Sequence, residues 1–332
     1  RLRSAAGFDD DREEHRVNGF RAENMADQTG RHVLITGANS GLGFQASLAL
    51  AAKGAHVILG CRSRERGEAA VARIRETTGT TSCELRELDL ASLDSIRRFA
   101  AGWSGPLDVL INNAGLMATT QAITADGFEQ QLGINHLGHF ALSGLLLPFL
   151  REAEAARVVV VSSIAHKRGV INFDDLMSRS RYRRWTAYSQ SKIANLYFAM
   201  EFARRLEAHG EGIVVAAAHP GLANTNLPAG MGRAPVAVLT AVFMRLAAQP
   251  QQAGVLPVLY AATAEDVSGG DFFGPNGPGE SSGEVTMVAP AARVADLEVA
   301  RRLWDVSEQL TGVTFPDLPA VGDPYGFSDS SR

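Results

Sequence analysis

Tyr188 and Lys192 are the residues whose types and spacing point most directly to proton transfer. Residues four positions apart share one face of a helix, so the two side chains can act together. An isolated tyrosine has a pKa of about 10, too high for acid–base work near neutrality. An ammonium one helical turn away favours the phenolate and is expected to lower that pKa. The chain has only three lysines, Lys53, Lys167 and Lys192, which makes a lysine here less readily a product of composition.

Two polar positions upstream are candidates to complete this site. Ser162 and Ser163 follow an apolar segment, residues 157–161, that predicts a buried strand. A hydroxyl at this strand end can hydrogen-bond a substrate oxygen opposite the tyrosine. Asn135 lies within an apolar stretch that predicts a helix, where a buried amide needs partners. We expect Asn135 to hold a water that relays a proton to Lys192.

A glycine-rich segment near the start of the chain is suited to a dinucleotide pyrophosphate. It lies between a predicted strand at 32–35 and a predicted helix at 42–53. Gly37 allows the tight turn, Gly41 lets the backbone approach the pyrophosphate, and Gly43 lets helix and strand pack closely. The helix N-terminus offers unpaired N–H groups to the phosphates. The same turn supplies further candidate cofactor residues: Asn39, Ser40 and Leu42. Taken alone, the glycine pattern is also compatible with an ordinary turn.

The end of the second predicted strand favours one cofactor. NAD-binding folds usually carry an acidic residue there for the ribose 2′-hydroxyl, but this chain has Cys61 followed by Arg62. A guanidinium can pair with a 2′-phosphate, and no carboxylate repels one. NADP(H) is therefore favoured and NAD(H) stays open. A solvated arginine at a helix start is the competing interpretation, and Arg64 and Arg66 fit it.

Two later strand ends are expected to border the same cleft, because ligands of doubly wound sheets bind outside the carboxyl ends of the strands. Asp89 and Leu90 follow one predicted strand and are placed beside the adenine. The residues that follow the next predicted strand, at 107–111, form a polar turn of small residues: Asn113, Ala114 and Gly115.

These motifs, in this order, resemble the short-chain dehydrogenase/reductase superfamily over roughly residues 30–275. The resemblance rests on TGANSGLG, NNAG, INHLGHF, VSS, YSQSK and HPG. It implies a catalytic tetrad of Asn135, Ser163, Tyr188 and Lys192, with Ser163 rather than Ser162 at the second-serine position. It also implies that Tyr188 moves the proton at oxygen while Lys192 lowers its pKa and holds the nicotinamide ribose. Three residues would line the nicotinamide: Pro220, Gly221 and Thr225.

A narrower resemblance, to the retinol dehydrogenase and protochlorophyllide reductase-like group, rests on NHLGHF, SSIAH, CR, HPG and an inserted loop at 169–185. That group tends to prefer NADP(H) and lipophilic carbonyls or alcohols. In the superfamily the helices that carry Asn135 and Tyr188 commonly form homodimer or homotetramer interfaces, but the narrower group includes exceptions, so the oligomeric state stays open.

Length and pattern predict one α/β domain, a Rossmann-type doubly wound parallel sheet flanked by helices. Residues 1–24 are expected to be a flexible arm, 25–315 the catalytic domain, and 316–332 a loose tail. A helical substrate lid at about 222–248 would follow the sixth strand. The apolar segment 235–248 in it suggests an apolar substrate, although an ordinary core or subunit-interface helix explains that segment equally well.

Composition excludes several classes of function. A net charge of −4 gives no electrostatic case for nucleic acid. Two cysteines provide no disulfide framework, which suits the cytoplasm, and no apolar run reaches the ~20 residues of a membrane span. His136 and His139 are interpreted as core or capping histidines, so no metal site is predicted.

The sequence therefore predicts an NADP(H)-dependent oxidoreductase that transfers hydride between nicotinamide and a carbonyl or alcohol of lipophilic character. One alternative is reduction of a C=C bond by the same tyrosine and lysine. The other is a nucleotide-sensing regulator or scaffold without turnover, which the intact set of Asn135, Ser163, Tyr188 and Lys192 disfavours.

Overall fold

A computed structural model describes residues 19–222 and 250–318 of the 332-residue chain. Its centre is one eight-stranded sheet in the order β3-β2-β1-β4-β5-β6-β7-β8. The first seven strands are parallel, and the last pairs antiparallel with its neighbour. The strands are β1 (His32–Thr36), β2 (His56–Cys61), β3 (Cys83–Glu87), β4 (Val109–Asn112), β5 (Arg157–Val161), β6 (Val214–Ala218), β7 (Phe272–Pro275) and β8 (Val285–Met287).

Helices cover both faces of the sheet, which is why the central strands are apolar throughout. Along β1, Leu34 belongs to the core of one face, while Val33 and Ile35 belong to the core of the other. The helices are α1 (Gly41–Ala52), α2 (Arg64–Thr78), α3 (Leu93–Ala101), α4 (Gln130–Leu132), α5 (Gly138–Arg151), α6 (Arg184–Ala208), α7 (Gln251–Gly254), α8 (Leu256–Thr263) and α9 (Leu297–Thr311). The predicted Rossmann-type sheet is thereby confirmed, with β8 as an addition.

The carboxyl ends of β1, β4, β5 and β6 lie side by side because these four strands are consecutive in the sheet. Strand order reverses between β1 and β4, so their loops diverge and leave a crevice, the usual position of a ligand in this architecture. Most of the predicted site residues follow these four strands, while Arg62 follows β2, and Asp89 and Leu90 follow β3.

The helix predicted around Asn135 is interrupted. Residues Gly133–Leu137 form a π-helical turn between α4 and α5. Such turns widen the helix locally and are frequent at functional sites. The inserted loop expected at 169–185 contains a 3₁₀ turn at Phe173–Asp175, and α6 already begins at Arg184.

The end of the sheet differs from prediction. Residues 267–273 predict a strand from sequence, and the glycines and prolines of 274–279 predict a turn-rich loop, but Gly274 and Pro275 belong to β7. The glycine is there for packing: a Cβ at Gly274 would lie 2.2 Å from Nε2 of His219. Glycine usually indicates a turn, but here it is required inside a strand. His219, which follows the neighbouring strand β6, occupies the space that a side chain at Gly274 would need.

Several expectations lie partly or wholly outside the described residues. They are the arm at 1–18, the lid segment at 223–248 with Thr225, and the tail from 319 onward. In the two described ranges no helix combines the length and the apolar character that crossing a membrane requires.

Candidate active site

Tyr188 and Lys192 lie one turn apart on α6, and both are buried, with 7% and 4% of their surface exposed. The Lys192 ammonium donates a 3.1 Å hydrogen bond to the carbonyl of Val161, the last residue of β5. Its Nζ is 6.0 Å from the centre of the Tyr188 ring. The predicted pair is therefore brought together at the carboxyl end of the sheet.

Burial controls the acidity of both groups. It raises the pKa of Tyr188, and a hydrogen bond with the Ser163 side chain offsets only part of this rise. Burial also lowers the pKa of Lys192 to about 8. The net shift is therefore opposite to the lowering expected from Lys192, because loss of hydration penalises the phenolate more than the groups around it favour it. At neutral pH Tyr188 is a phenol, the form that can donate a proton.

The two serines after β5 have different partners. Ser162 is buried and donates a 2.8 Å hydrogen bond to the backbone carbonyl of Lys192. Ser163 is hydrogen-bonded to the Tyr188 side chain, and its hydroxyl also accepts from the N–H of Ala165. Ser162 thus ties α6 to the sheet, while Ser163 is the serine next to the phenol.

The side-chain amide of Asn135 makes its hydrogen bonds to other residues of the protein. Its Nδ2 donates to the Leu116 carbonyl and to Ser191 Oγ, both at 2.9 Å, while its Oδ1 accepts from the Leu116 N–H at 2.7 Å. Ser191 in turn donates to the carbonyl of Tyr188. Both donors of the amide are therefore occupied, and Asn135 joins the π-helical turn to α6. The water relay through Asn135 stays a prediction.

Gly115 leaves the space beside Asn135 and Lys192 open. A Cβ at this position would lie 3.2 Å from Asn135 Oδ1 and 3.4 Å from Lys192 Nζ. Gly115 therefore faces the lysine from the β4 side of the cleft. The absence of a side chain keeps the ammonium accessible from the crevice.

The glycine-rich turn after β1 is locked to the turn after β4 by Thr36. Its Oγ1 accepts from the N–H groups of Asn113 and Ala114, both at 2.9 Å, and its carbonyl accepts from Asn113 Nδ2 at 2.8 Å. Gly37 and Gly41 have positive φ angles of 65° and 58°, a backbone region that favours glycine.

The glycine of α1 that faces this contact has no room for a side chain. A Cβ at Gly43 would lie 2.5 Å from Asn113 Nδ2 and 2.7 Å from the Gly37 carbonyl. The close helix–strand packing expected at Gly43 thus has a defined neighbour. The remaining residues of the turn lie at or just before the start of α1: Asn39, Ser40 and Leu42.

The residues after β2 present a cation and no anion. Cys61 is buried, its sulfur accepts hydrogen bonds from the backbone of Ala38 and Asn39, and burial raises its pKa to about 11, so the thiol is neutral. Arg62 is exposed directly after it. Arg64, by contrast, forms ion pairs with Glu68 and Glu87.

The other predicted cofactor residues border the same edge of the sheet. The Asp89 carboxylate accepts from the N–H of Ala91 and so shapes the turn before α3, and Leu90 is buried against Gly138. Gly221, at the end of β6, has a φ of 67°. Pro220 lies beside it, and Thr225 is outside the described residues.

Comparisons with known proteins identify the family. A family model for the short chain dehydrogenase matches residues 31–234. The chain belongs to this family. Human retinol dehydrogenase 13 is 42% identical over 313 residues, covering 91% of each chain. Human retinol dehydrogenase 14 is 41% identical, covering 86% of this chain and 87% of the relative. The resemblance to the retinol dehydrogenase group is confirmed.

Solved structures agree with this assignment. A crystal structure described as an uncharacterized protein from Mycobacterium paratuberculosis is 46% identical, has a TM-score of 0.76, and covers 90% of this chain and 99% of its own. The Pseudomonas aeruginosa RhlG/NADP complex is 26% identical with a TM-score of 0.58, covering 74% and 94%. As a short-chain dehydrogenase, the protein is an oxidoreductase that acts on an alcohol or carbonyl with a nicotinamide cofactor.

The residues present fit a nicotinamide dinucleotide. The turn after β1 has no side chain at Gly37, Gly41 or Gly43 and ends at the N-terminus of a 12-residue helix, whose N–H groups and dipole favour phosphate. The buried Lys192 and Tyr188 lie at the carboxyl end of β5, on the opposite side of the crevice from this turn. The roles of individual residues in binding and catalysis stay predictions.

Sequence reasoning missed two contributors to this short-chain dehydrogenase site. Thr36 belongs to the glycine motif, but its bonds to the β4 turn are visible only once β1 and β4 are neighbours. Gln131 on α4 donates to Tyr182 Oη at 2.8 Å and accepts from the Ala118 N–H at 2.7 Å, so it joins the loops on either side of the cleft. No motif marks it.

Proposed function

We propose that this short-chain dehydrogenase uses NADP(H) to interconvert a lipophilic alcohol and its carbonyl compound. The observation that carries the proposal is the pair of buried residues Tyr188 and Lys192 beside the half-buried Ser163 at the end of β5, opposite the glycine-rich turn. A bound nicotinamide supplies or accepts the hydride. The protein orients the substrate and manages the proton.

The proton chemistry follows from the acidity of the site. Tyr188 is a neutral phenol, so in the reductive direction it donates its proton to the carbonyl oxygen as hydride reaches the carbon. Ser163, which bonds the phenol, is placed to hydrogen-bond the same oxygen. The Lys192 ammonium, held on the Val161 carbonyl, stabilises the phenolate that remains.

A lipophilic substrate is supported by the relatives and by the surface beside the phenol. The relatives carry the name retinol dehydrogenase, and retinol is an apolar alcohol. Trp185, one turn before Tyr188 on α6, meets its ring edge-on at 6.1 Å and is 45% exposed. Such an exposed aromatic surface next to the reacting group suits an apolar chain more than a charged metabolite.

NADP(H) is supported by the neutral Cys61 and the exposed Arg62 after β2. A guanidinium at this position can pair with the 2′-phosphate. We propose Arg62 as that partner. From the sequence we also propose a cytoplasmic location and assembly into a homodimer or homotetramer.

The first experiment titrates the purified protein with NADPH and NADH by fluorescence and then supplies retinal or a long-chain aldehyde. We expect tighter NADPH binding and an alcohol product. A saturated carbonyl product would instead show C=C reduction. Cofactor binding without turnover on any carbonyl or alcohol would favour the sensing or scaffold alternative.

Arg62→Ala tests the cofactor preference. It should weaken NADPH at least about tenfold, as expected for a lost charge-assisted hydrogen bond, and leave NADH within about twofold. Arg98→Ala, at an exposed arginine of α3, is the matched control and should change neither. Equal losses for the two nucleotides would contradict the assignment of Arg62.

A further inference from the structure

His219, the last residue before the loop at 220–222, is held in one tautomer by its two neighbours. It is fully buried, and its Nδ1 accepts a 3.2 Å hydrogen bond from the N–H of Gly221. The ring proton is therefore on Nε2, which donates to Glu280 Oε2 at 3.0 Å. The imidazole thus connects the backbone of the loop directly to one carboxylate.

Glu280 also reaches the other side of the cleft. Its Oε1 accepts a 2.6 Å hydrogen bond from Lys167 Nζ. Lys167 belongs to the 3₁₀ turn Ile164–Arg168 that follows Ser163. Burial opposes ionisation of Glu280, but the bonds from His219 and Lys167 outweigh it and lower the pKa to about 2. The carboxylate is therefore charged throughout the neutral range.

The segment around Glu280 is shaped to hold the loop at 220–222. The N–H of Leu222 donates to the carbonyl of Ser281 at 2.8 Å. A Cβ at Gly221 would lie 2.4 Å from that carbonyl, and one at Gly274 would lie 2.2 Å from His219 Nε2. These contacts leave the loop no freedom to move without breaking a hydrogen bond or a close approach.

Glu280 occupies its position against the preference of its own backbone. Its φ is 57°, in the left-handed region that favours glycine and strains other residues. A side chain placed there in spite of the backbone conformation indicates that its carboxylate has a function beyond filling space.

We propose that Glu280 is a positioning residue that holds the loop at 220–222, through His219, in fixed register with the turn that follows Ser163. The proposal rests on the function proposed above, in which Ser163 and Tyr188 bind the substrate oxygen, and on the family resemblance, which implies that Pro220 and Gly221 line the nicotinamide. One carboxylate then sets the distance between the hydride donor's side of the cleft and the proton donor's side.

Three variants test this. Glu280→Gly removes the carboxylate and suits the positive φ, so it separates positioning from backbone strain. Glu280→Gln keeps an acceptor for His219 Nε2 but loses the charge that pairs with Lys167. Glu211→Ala is the matched control, because its carboxylate is also ion-paired, with Arg151, and is similarly buried, 19% exposed against 21% for Glu280. It precedes β6, at the opposite end of that strand from His219.

The first readout is hydrogen exchange of the amides of Gly221 and Leu222, measured on peptides that span 219–222 without cofactor. Glu280→Gly should speed their exchange about tenfold, Glu280→Gln about twofold to threefold, and Glu211→Ala not at all. Because this measurement needs no cofactor, it decides whether Glu280 holds the loop even if the proposed function fails.

The second readout compares affinity for the whole cofactor with affinity for its adenosine half. In Glu280→Gly, NADPH should bind about five- to tenfold more weakly while 2′,5′-ADP stays within twofold, with partial rescue in Glu280→Gln. A role confined to stability would leave both affinities of the folded protein unchanged. Unchanged exchange and an unchanged affinity ratio in Glu280→Gly would overturn the proposal. Wild-type protein that binds neither nucleotide would overturn the proposed function instead.

Discussion

His139 and Thr36 share a 2.8 Å hydrogen bond that joins the π-helical turn to the end of β1. His139 Nδ1 lies 2.9 Å from the backbone carbonyl of Asn135, so Nδ1 carries the proton and Nε2 accepts from the Thr36 hydroxyl. The same Thr36 oxygen accepts from the N–H groups of Asn113 and Ala114. A neutral imidazole therefore connects the residue predicted to complete the tetrad with the turns predicted to bind the cofactor.

This connection predicts acid sensitivity. Burial lowers the pKa of His139 to about 4 and that of His136 to about 3, while an unfolded histidine titrates near 6.5. As pH falls below 6.5 the unfolded chain takes up protons that the folded chain refuses, so stability falls with acid. Each such histidine should cost about 2 kcal/mol of unfolding free energy between pH 7 and pH 5.

Urea unfolding at pH 7, 6 and 5 measures this effect. His139→Asn keeps a donor for the Asn135 carbonyl and should be less stable at pH 7 but lose less stability on acidification than wild type. A slope in His139→Asn as steep as in wild type would contradict a neutral His139.

Removing the phenol oxygen should stop turnover without unfolding the protein. Tyr188→Phe is expected to lower kcat about 10²- to 10⁴-fold, the usual contribution of a positioned acid, while NADPH affinity changes little. Tyr197→Phe is the matched control, because Tyr197 is a buried tyrosine on the same helix whose hydroxyl bonds the Arg293 carbonyl. It should cost about 1 kcal/mol of stability and leave kcat intact. Comparable activity in both variants would remove Tyr188 from the proposed mechanism.

Local patterns predicted the parallel sheet and its order of elements because buried strands, glycine turns and capped helices are encoded within short segments. The β1 strand, the turn from Gly37 to Gly43 and the α6 pair Tyr188 and Lys192 all lie where the sequence indicates. The interpretation of His136 and His139 as core residues agrees with their burial and their hydroxyl partners Ser307 and Thr36.

What the sequence missed depends on contacts between distant segments. The antiparallel β8 was not predicted, because Gly274 indicates a turn unless it is known that His219 leaves no room for a side chain at that position. The predicted direction of the Tyr188 pKa shift was wrong, since spacing places Lys192 nearby but does not reveal how deeply the phenol is buried. Glu280 carries no motif, and its role emerges only from its two partners.

The buried ammonium should govern the pH dependence of carbonyl reduction. Burial lowers the pKa of Lys192 to about 8, so its charge is present below pH 8 and lost as pH rises through that value. The phenolate left on Tyr188 is then no longer stabilised. We expect kcat for reduction, measured from pH 6 to pH 10 at saturating cofactor, to decline above about pH 8.

Lys192→Arg checks the origin of this decline. A guanidinium stays charged over the whole range, so the decline near pH 8 should disappear, although the rate at pH 7 falls because arginine does not reproduce the lysine geometry. Lys53→Arg, at a lysine bonded to the Glu23 carbonyl away from the cleft, should keep the wild-type profile. A decline near pH 8 that persists in Lys192→Arg would assign it to another group.

Gly115 should be intolerant of a methyl group for catalytic rather than folding reasons. Its φ is not in the left-handed region, so alanine fits the backbone, but the Cβ would lie 3.2 Å from Asn135 Oδ1 and 3.4 Å from Lys192 Nζ. The Asn135 amide oxygen must move by a few tenths of an ångström beside the ammonium, and misplacement of a catalytic group on the ångström scale costs up to about 10²-fold. We expect kcat/KM to fall at least about tenfold in Gly115→Ala with a nearly unchanged melting temperature.

Gly212→Ala is the control for this prediction. A Cβ at Gly212 has no neighbour within 4 Å, so this variant should leave both quantities unchanged. A melting temperature in Gly115→Ala that falls in step with activity would show that the glycine serves the fold instead.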